Sequence, residues 1–139
     1  MPLLVVDSNP IISSLISKGT KQDILFCDKI KPVSPDWLLF EIGKHWKEIC
    51  NKSKFPKEDL ELSFSLVRGR VTTFSLDKYS DKLPEAKEVS PHIKDNEFFA
   101  LALKLNCDIW SDEAAFKGQD KVAVFNSEEL AKKFGFPWV

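Results

Sequence analysis

The chain has few cysteines, no excess of basic residues and no long hydrophobic run. Cys27, Cys50 and Cys107 are odd in number and far apart, so they form neither a CxxC metal pair nor a disulfide framework, as expected in a reducing cytoplasm. Twenty basic residues against 21 acidic ones give a formal net charge of -1, which excludes a general nucleic-acid coat protein. No apolar run approaches the ~20 residues of a membrane span, and the start lacks the basic region of a signal peptide, so we expect no membrane contact.

The overall composition is that of an ordinary folded protein. Hydrophobic residues make up 43% of the chain and charged residues 29%. A chain of 139 residues suits one domain over residues 1–139, because a core of that size buries roughly two-thirds of the surface of the unfolded chain. There is no internal repeat, low-complexity tract or linker.

The first segment predicts a strand, a tight loop and a helix. Residues 3–6 form an unbroken apolar run that ends at Asp7, which is typical of a strand covered on both faces in a parallel sheet. Asn9 is a candidate N-cap, followed by Pro10 at the first helical position. Apolar residues then recur at helical spacing until Lys18 and the glycine after it stop the helix.

The rest of the chain continues this alternation of strands and helices. We predict a strand at 24–27, a helix from 34–35 to about 51, a helix after Pro56 that breaks at 68–70, a strand at 71–74, a short helix at 81–89, a helix at 95–105, strands at 108–110 and 121–125, and a last helix capped by Asn126 and closed by Gly135. This order predicts a three-layer α/β/α protein with a central, largely parallel five-stranded sheet.

Acidic residues from distant parts of the chain fall at one edge of that sheet. Ligands of open parallel sheets bind beyond the carboxyl ends of the strands. Asp7 ends the first strand, residues 111–113 (Ser-Asp-Glu) end the fourth, and Asp95 begins the helix that leads into the fourth. Glu41 lies at the flank of its helix's buried stripe, from which it can point over the core edge. These acids are expected to converge.

Such a cluster predicts a particular kind of metal site. Carboxylates without cysteine or histidine partners are hard oxygen donors, which suit Mg²⁺ or Mn²⁺ rather than zinc and favour phosphate chemistry. Each acid taken alone also has a structural explanation. Asp7 and Asp95 can be helix caps, residues 111–113 can form a simple turn, and Glu41 can be a solvated side chain. Only the joint pattern favours a site. His45 and His92 are left outside it.

Four segments, taken in order, resemble the motifs of PIN domains. They are Val5–Asn9 with Ile11–Ser14, Asp36–Ile42, Lys94–Leu105, and Ile109–Ser111. The resemblance runs from Leu3 to about Leu130. It identifies the chain as similar to the VapC-like toxin ribonucleases and related archaeal and bacterial PIN proteins.

The resemblance implies which acids gather the metal. Asp7, Glu41 and Asp95 match the family's first three acidic positions. The fourth motif, which usually has Thr or Ser, any residue, then Asp, falls on Ser111 and makes Glu113 the last acid, with Asp112 in the variable position. This is a departure from the family, so either Glu113 or Asp112 completes the site.

The implied function is metal-dependent hydrolysis of RNA, catalysed by an endoribonuclease that is the toxin of a toxin-antitoxin pair or an RNA-processing enzyme. Asn9 and Ser111 match polar positions that support the site. Basic side chains are candidates to contact the RNA backbone, with solvated surface charges as the alternative for each: Arg68, Arg70, Lys94 and Lys117. Expected partners are RNA, a small antitoxin protein and a second copy in a homodimer.

Two other functions compete with this one. If the altered fourth motif abolishes metal binding, the fold persists as an RNA-binding or assembly module without cleavage. A phosphatase-like hydrolase with Asp7 as nucleophile is the third hypothesis, but its expected second aspartate, two residues on, is Asn9.

Overall fold

The computed structural model describes residues 2–138 and has a five-stranded parallel sheet at its centre. The strands are β1 (Leu3–Val6), β2 (Lys31–Pro35), β3 (Thr72–Phe74), β4 (Asp108–Trp110) and β5 (Val124–Phe125). Their order in the sheet is β3-β2-β1-β4-β5, and every neighbouring pair is parallel. The predicted three-layer α/β/α architecture is confirmed.

Helices connect the strands and cover the two faces of the sheet. They are α1 (Ser8–Ser17), α2 (Thr20–Phe26), α3 (Trp37–Lys44), α4 (Trp46–Lys52), α5 (Lys57–Arg70), α6 (Leu83–Val89), α7 (Asn96–Leu105) and α8 (Ser127–Phe134), with short 3₁₀ turns between some of them. In the described part of the chain, no helix combines the length and apolar character needed to cross a membrane.

The core is centred on β1 and α7. Val5 and Val6 are completely buried, and Val5 pairs with Val33 of β2 on one side and with Ile109 of β4 on the other. Residues 98–102 of α7 are all buried between the sheet and neighbouring elements such as α6, because this helix is apolar around most of its circumference. The sheet centre therefore forms a rigid base for side chains at the strand ends.

The second strand is not where the sequence predicted it. Residues 24–27 were expected to form a strand, but they fall on and just after α2, which buries Ile24 and Leu25 together. The strand is instead Lys31–Pro35, buried from Pro32 onward. Proline is depleted in strands because it lacks an N–H donor, so the two prolines of β2 concealed it.

The helix predicted from 34–35 to about 51 is also different. Pro35 belongs to β2, and the remainder divides into α3 and α4 at His45, whose φ of -100° and ψ of 21° are not helical. After this break the Trp46 ring stacks on Phe64 of α5, with ring centroids 5.0 Å apart. Gly43, which is unfavourable in a helix interior, lies just before the break.

Candidate functional site

Asp7 lies at the carboxyl end of β1, where it caps α1. Its Oδ1 accepts a hydrogen bond of 2.8 Å from the Ser8 amide, so the N-cap of α1 is Asp7 and not Asn9 as the sequence suggested. The helix starts two residues earlier than predicted because this carboxylate satisfies one of the first free amides. Asn9 is exposed, and its side chain accepts a hydrogen bond from Ser13 within α1.

Ser111 connects Asp7 to the end of β4. Its hydroxyl donates to Asp7 Oδ2 over 2.8 Å and accepts from the Glu113 amide over 3.1 Å. The Ser111 amide in turn donates to the carbonyl of Phe125 at the end of β5. Ser111 is 1% exposed, so the serine is a fixed part of the strand edge.

Asp95 brings a second buried carboxylate to the same edge. It is 3% exposed, and its buried Oδ2 has no hydrogen-bond partner. Burial and, to a smaller extent, the negative charges of Glu113 and Asp7 raise the pKa of Asp95 to about 6. Burial also raises the pKa of Asp7, against the hydrogen bonds from Ser111 and Ser8, and Glu113 again adds to the effect. Asp7, Asp95 and Glu113 are therefore electrostatically coupled.

Two basic side chains border these acids. His92, which was expected to lie outside the site, has its Nε2 3.9 Å from Glu113 Oε1. The charge of Lys94 favours the ionised forms of both Asp7 and Asp95. The contact between His92 and Glu113 joins residues that are 21 positions apart, so no spacing motif in the sequence indicates it.

Asp112 faces away from this cluster. Its two carboxylate oxygens accept hydrogen bonds of 2.7 Å from the amide and hydroxyl of Ser127, and Lys21 Nζ lies 3.1 Å from Oδ2. Although burial opposes its ionisation, these donors hold the pKa of Asp112 below its usual range. The Ser127 hydroxyl also accepts from Trp110 Nε1 over 2.9 Å. Asp112 thus joins the end of β4 to the start of α8.

Glu41 lies on α3 with its carboxylate partly exposed and 3.6 Å from His45 Nε2. It lines a groove of about 370 Å³ that also includes Ser8, the neighbour of Asp7. Glu41 is therefore on the same side of the sheet edge as Asp7, but its carboxylate is directed at His45.

The four basic residues proposed for RNA binding lie in different surroundings. Lys94 borders the acids, whereas Lys117 forms an ion pair with Glu129 of α8. The Arg68 guanidinium lies over the Phe64 ring, 4.5 Å from its centroid.

Arg70 is held by the backbone at the opposite end of the sheet. Its guanidinium donates to the carbonyl of Leu25 over 2.9 Å and to that of Ile30 over 2.8 Å, and it also contacts the carbonyl of Cys27. These carbonyls precede β2, at the amino edge of the sheet. Arg70 ties the end of α5 to this edge.

The side chains at the carboxyl edge fit a divalent cation by their chemistry. Among residues 2–138, no three histidine, cysteine, aspartate or glutamate side chains are already arranged to hold a metal ion. The buried and unpaired Asp95 Oδ2, with the raised pKa of two neighbouring carboxyls, nevertheless provides oxygen donors that a cation would neutralise. Asp7, Asp95 and Glu113 are the residues that could hold it.

The fold and this edge together define an α/β protein with an acidic site at the point where the strand order reverses, between β1 and β4. The model of the PIN domain family matches residues 5–132, and the chain belongs to that family. No curated protein sequence matches it.

Two solved structures share the fold. One is PAE2754 from Pyrobaculum aerophilum, with a TM-score of 0.67 and 14% identity over 96% of this chain and 90% of that one. The other is VapBC2 from Rickettsia felis bound to a DNA fragment from their promoter, with a TM-score of 0.63 and 13% identity over 89% of this chain and 98% of that one. At these identities, the likeness is one of fold alone.

Proposed function

We propose that the chain is a metal-dependent endoribonuclease that hydrolyses RNA phosphodiester bonds, with residues 1–139 as one nuclease domain. The observation that carries the proposal is the buried, unpaired Oδ2 of Asp95 beside Asp7 and Glu113 at the sheet's switch point. Buried polar atoms without partners are rare, and each needs an explanation. Membership of the PIN family, whose members are generally nucleases that use divalent metal ions, supports the same function.

Asp7, Asp95 and Glu113 would hold Mg²⁺ or Mn²⁺, and Glu41 would join them from α3. A divalent cation supplies Lewis-acid chemistry to a phosphodiester. Ser111 fixes the Asp7 carboxylate, and Lys94 attracts the phosphate backbone because it is the one proposed RNA-binding residue beside the acids. Asn9 and Asp112 would contribute less to metal binding, because the side chain of Asn9 is hydrogen-bonded to Ser13 and that of Asp112 to Ser127.

The biological setting is also a proposal. The Rickettsia felis structure is a VapBC complex, which supports a small antitoxin as partner of this chain. We further propose that the protein is a homodimer that acts on RNA in the cytoplasm, where its three free cysteines would stay reduced.

A second candidate is an RNA-binding or assembly module without catalysis. It is favoured by one observation: in residues 2–138, no three acidic, histidine or cysteine side chains are already arranged around a metal position. The family's usual aspartate is also a glutamate here, Glu113.

The test is cleavage of a fluorogenic single-stranded RNA by the purified protein. We expect cleavage with Mg²⁺ or Mn²⁺, none in chelator, and none with Asp95→Asn. Asp28→Asn is the matched control, because Asp28 is an exposed aspartate at the amino edge of the sheet. Cleavage that persists in chelator would overturn the metal mechanism. If RNA binds but is never cut, the non-catalytic module replaces the nuclease.

A further inference from the structure

A second cavity lies beside the edge strand β3, between Asp36 at the carboxyl end of β2 and Arg68 in the last turn of α5, the helix that precedes β3. It measures about 360 Å³ and is lined by Asp36, Leu39, Phe40, Arg68 and Thr73. The register pairs Val5 with Val33, so Asp7 is level with Pro35, the residue before Asp36. The Asp36 end of the cavity is therefore one strand away from β1, whereas Phe40 lies on the far side of α3 from the groove that contains Ser8 and Glu41.

Phe40 lines this cavity and is unusually exposed for a large hydrophobic side chain. It is 74% exposed, on the side of α3 opposite the buried Leu38 and Ile42. Exposed aromatic rings provide stacking surfaces for bases in proteins that bind single-stranded nucleic acid. Arg68, across the cavity, is oriented by the Phe64 ring beneath its guanidinium, which leaves a positive charge at the rim.

Asp36 supplies a polar group of the opposite charge. It lies four residues before Phe40, on the same face of α3, and its side chain makes no capping hydrogen bond to the helix that it precedes. A carboxylate accepts two hydrogen bonds side by side. Among the bases, guanine offers two adjacent N–H donors on its Watson–Crick edge, which single-stranded RNA leaves accessible.

We propose that this cavity is a nucleobase subsite that binds a guanine of the RNA substrate. The base stacks on Phe40, its N–H edge bonds to Asp36, and Arg68 contacts the adjoining phosphate. The inference rests on the proposed function, since it assumes that the RNA strand bound at Asp7 also reaches this cavity.

The test is binding of labelled single-stranded RNA octamers, measured by fluorescence anisotropy in chelator so that no cleavage occurs. The probes are an all-uridine octamer and octamers with one guanosine at each position. We expect guanosine at one or two adjacent positions to tighten binding about tenfold. Asp36→Asn should remove this preference and retain affinity for the all-uridine octamer, while Asp28→Asn should change neither.

Substitutions of Phe40 test the stacking surface. Phe40→Ala should weaken binding of every octamer about tenfold, and Phe40→Trp should preserve it. Leu66→Ala is the matched control, because Leu66 is 55% exposed and lies outside this cavity. The inference is overturned if Phe40→Ala binds RNA like the control, if Asp36→Asn keeps the guanosine preference, or if Phe40→Ala only turns a dimer into monomers.

Failure of this inference is distinguishable from failure of the proposed function. Cleavage with Mn²⁺ that is unaffected by substitutions at Asp36 and Phe40 removes the subsite and leaves the nuclease. Guanosine-dependent binding without cleavage in Mg²⁺ or Mn²⁺ keeps the subsite and removes the nuclease.

Discussion

The Ser111 hydroxyl donates a hydrogen bond of 2.8 Å to Asp7 Oδ2, across 104 residues of sequence. Both groups are buried, and the contact joins the ends of β4 and β1. Ser111→Ala should therefore lower the free energy of unfolding by about 1–3 kcal/mol, because it leaves a buried acceptor unpaired. Ser111→Thr keeps the hydroxyl and is the control. Urea denaturation in chelator measures both, and equal stability of alanine and wild type would contradict the role given to this bond.

Asp7→Asn should abolish RNA cleavage without unfolding the protein. Burial raises the pKa of Asp7, which means that its ionised form is unfavourable in the folded protein without a cation. The neutral amide removes that cost, so the melting temperature in chelator should stay the same or rise. A large fall in melting temperature would show instead that Asp7 is mainly a helix cap.

Stability in chelator should depend on pH through Asp95. Its pKa is raised from 3.8 to about 6, so between these values the folded protein holds a proton that the unfolded chain has lost. Stability from this group therefore falls as pH rises from about 4 to 6 and is level above that range. Asp95→Asn should remove this fall, which amounts to about 1–3 kcal/mol. Urea denaturation of both proteins at pH 4.5 and 7.5 gives the measurement, and parallel pH profiles would contradict it.

The two neighbouring acids after Ser111 should respond differently to substitution. Glu113→Gln should weaken Mn²⁺ binding and RNA turnover, whereas Glu113→Asp should preserve or raise turnover. Asp112→Asn should leave Mn²⁺ affinity nearly unchanged and lower the melting temperature, because Asp112 bonds to Ser127 and Lys21. Calorimetric titration with Mn²⁺ and thermal denaturation separate these outcomes. Loss of Mn²⁺ binding in Asp112→Asn alone would move the fourth ligand by one residue.

Substitutions of Arg70 and Lys94 should affect different properties: the first should lower folding stability, and the second should lower RNA affinity. Arg70→Ala should lower the free energy of unfolding by about 1–3 kcal/mol, because it leaves backbone carbonyls of the loop before β2 without their donor. Lys94→Ala should change stability much less, because Lys94 is exposed, and should weaken RNA binding at low salt, with a smaller salt dependence. Urea denaturation measures the stability of both variants, and a salt titration measures their RNA affinity. Weaker RNA binding by Arg70→Ala at full stability would contradict its structural role.

The elements that the sequence predicted well are those with a dense apolar pattern. The helix at Asn96–Leu105 and the strand Asp108–Trp110 follow from such patterns, and the capping box of Asn126 and Glu129 is present as expected. The strand Lys31–Pro35 was missed because its prolines resemble a loop, although the sheet buries them.

The sequence predicted which residues lie close together at the ends of the strands, but no more of the site than that. The positions of Asp7 and Asp95 follow from the topology of a parallel sheet. The direction of a side chain does not, so the ties of Asp112 to Ser127 and of Arg70 to the carbonyls of Leu25 and Ile30 were not foreseen. These partners come from segments far away in sequence, and no local pattern encodes them.

In the turn after β4, alternate residues face different surroundings. Ser111 and Glu113 lie on the side of Asp7 and Asp95, and Asp112 lies on the side of α8. The anchoring of the turn therefore does not depend on the side chain at position 113. If Glu113 holds the ion as proposed, substitutions there should change or abolish ion binding at little cost to folding. Under the proposed function, single substitutions at this position would therefore remove or restore catalysis while the scaffold persists.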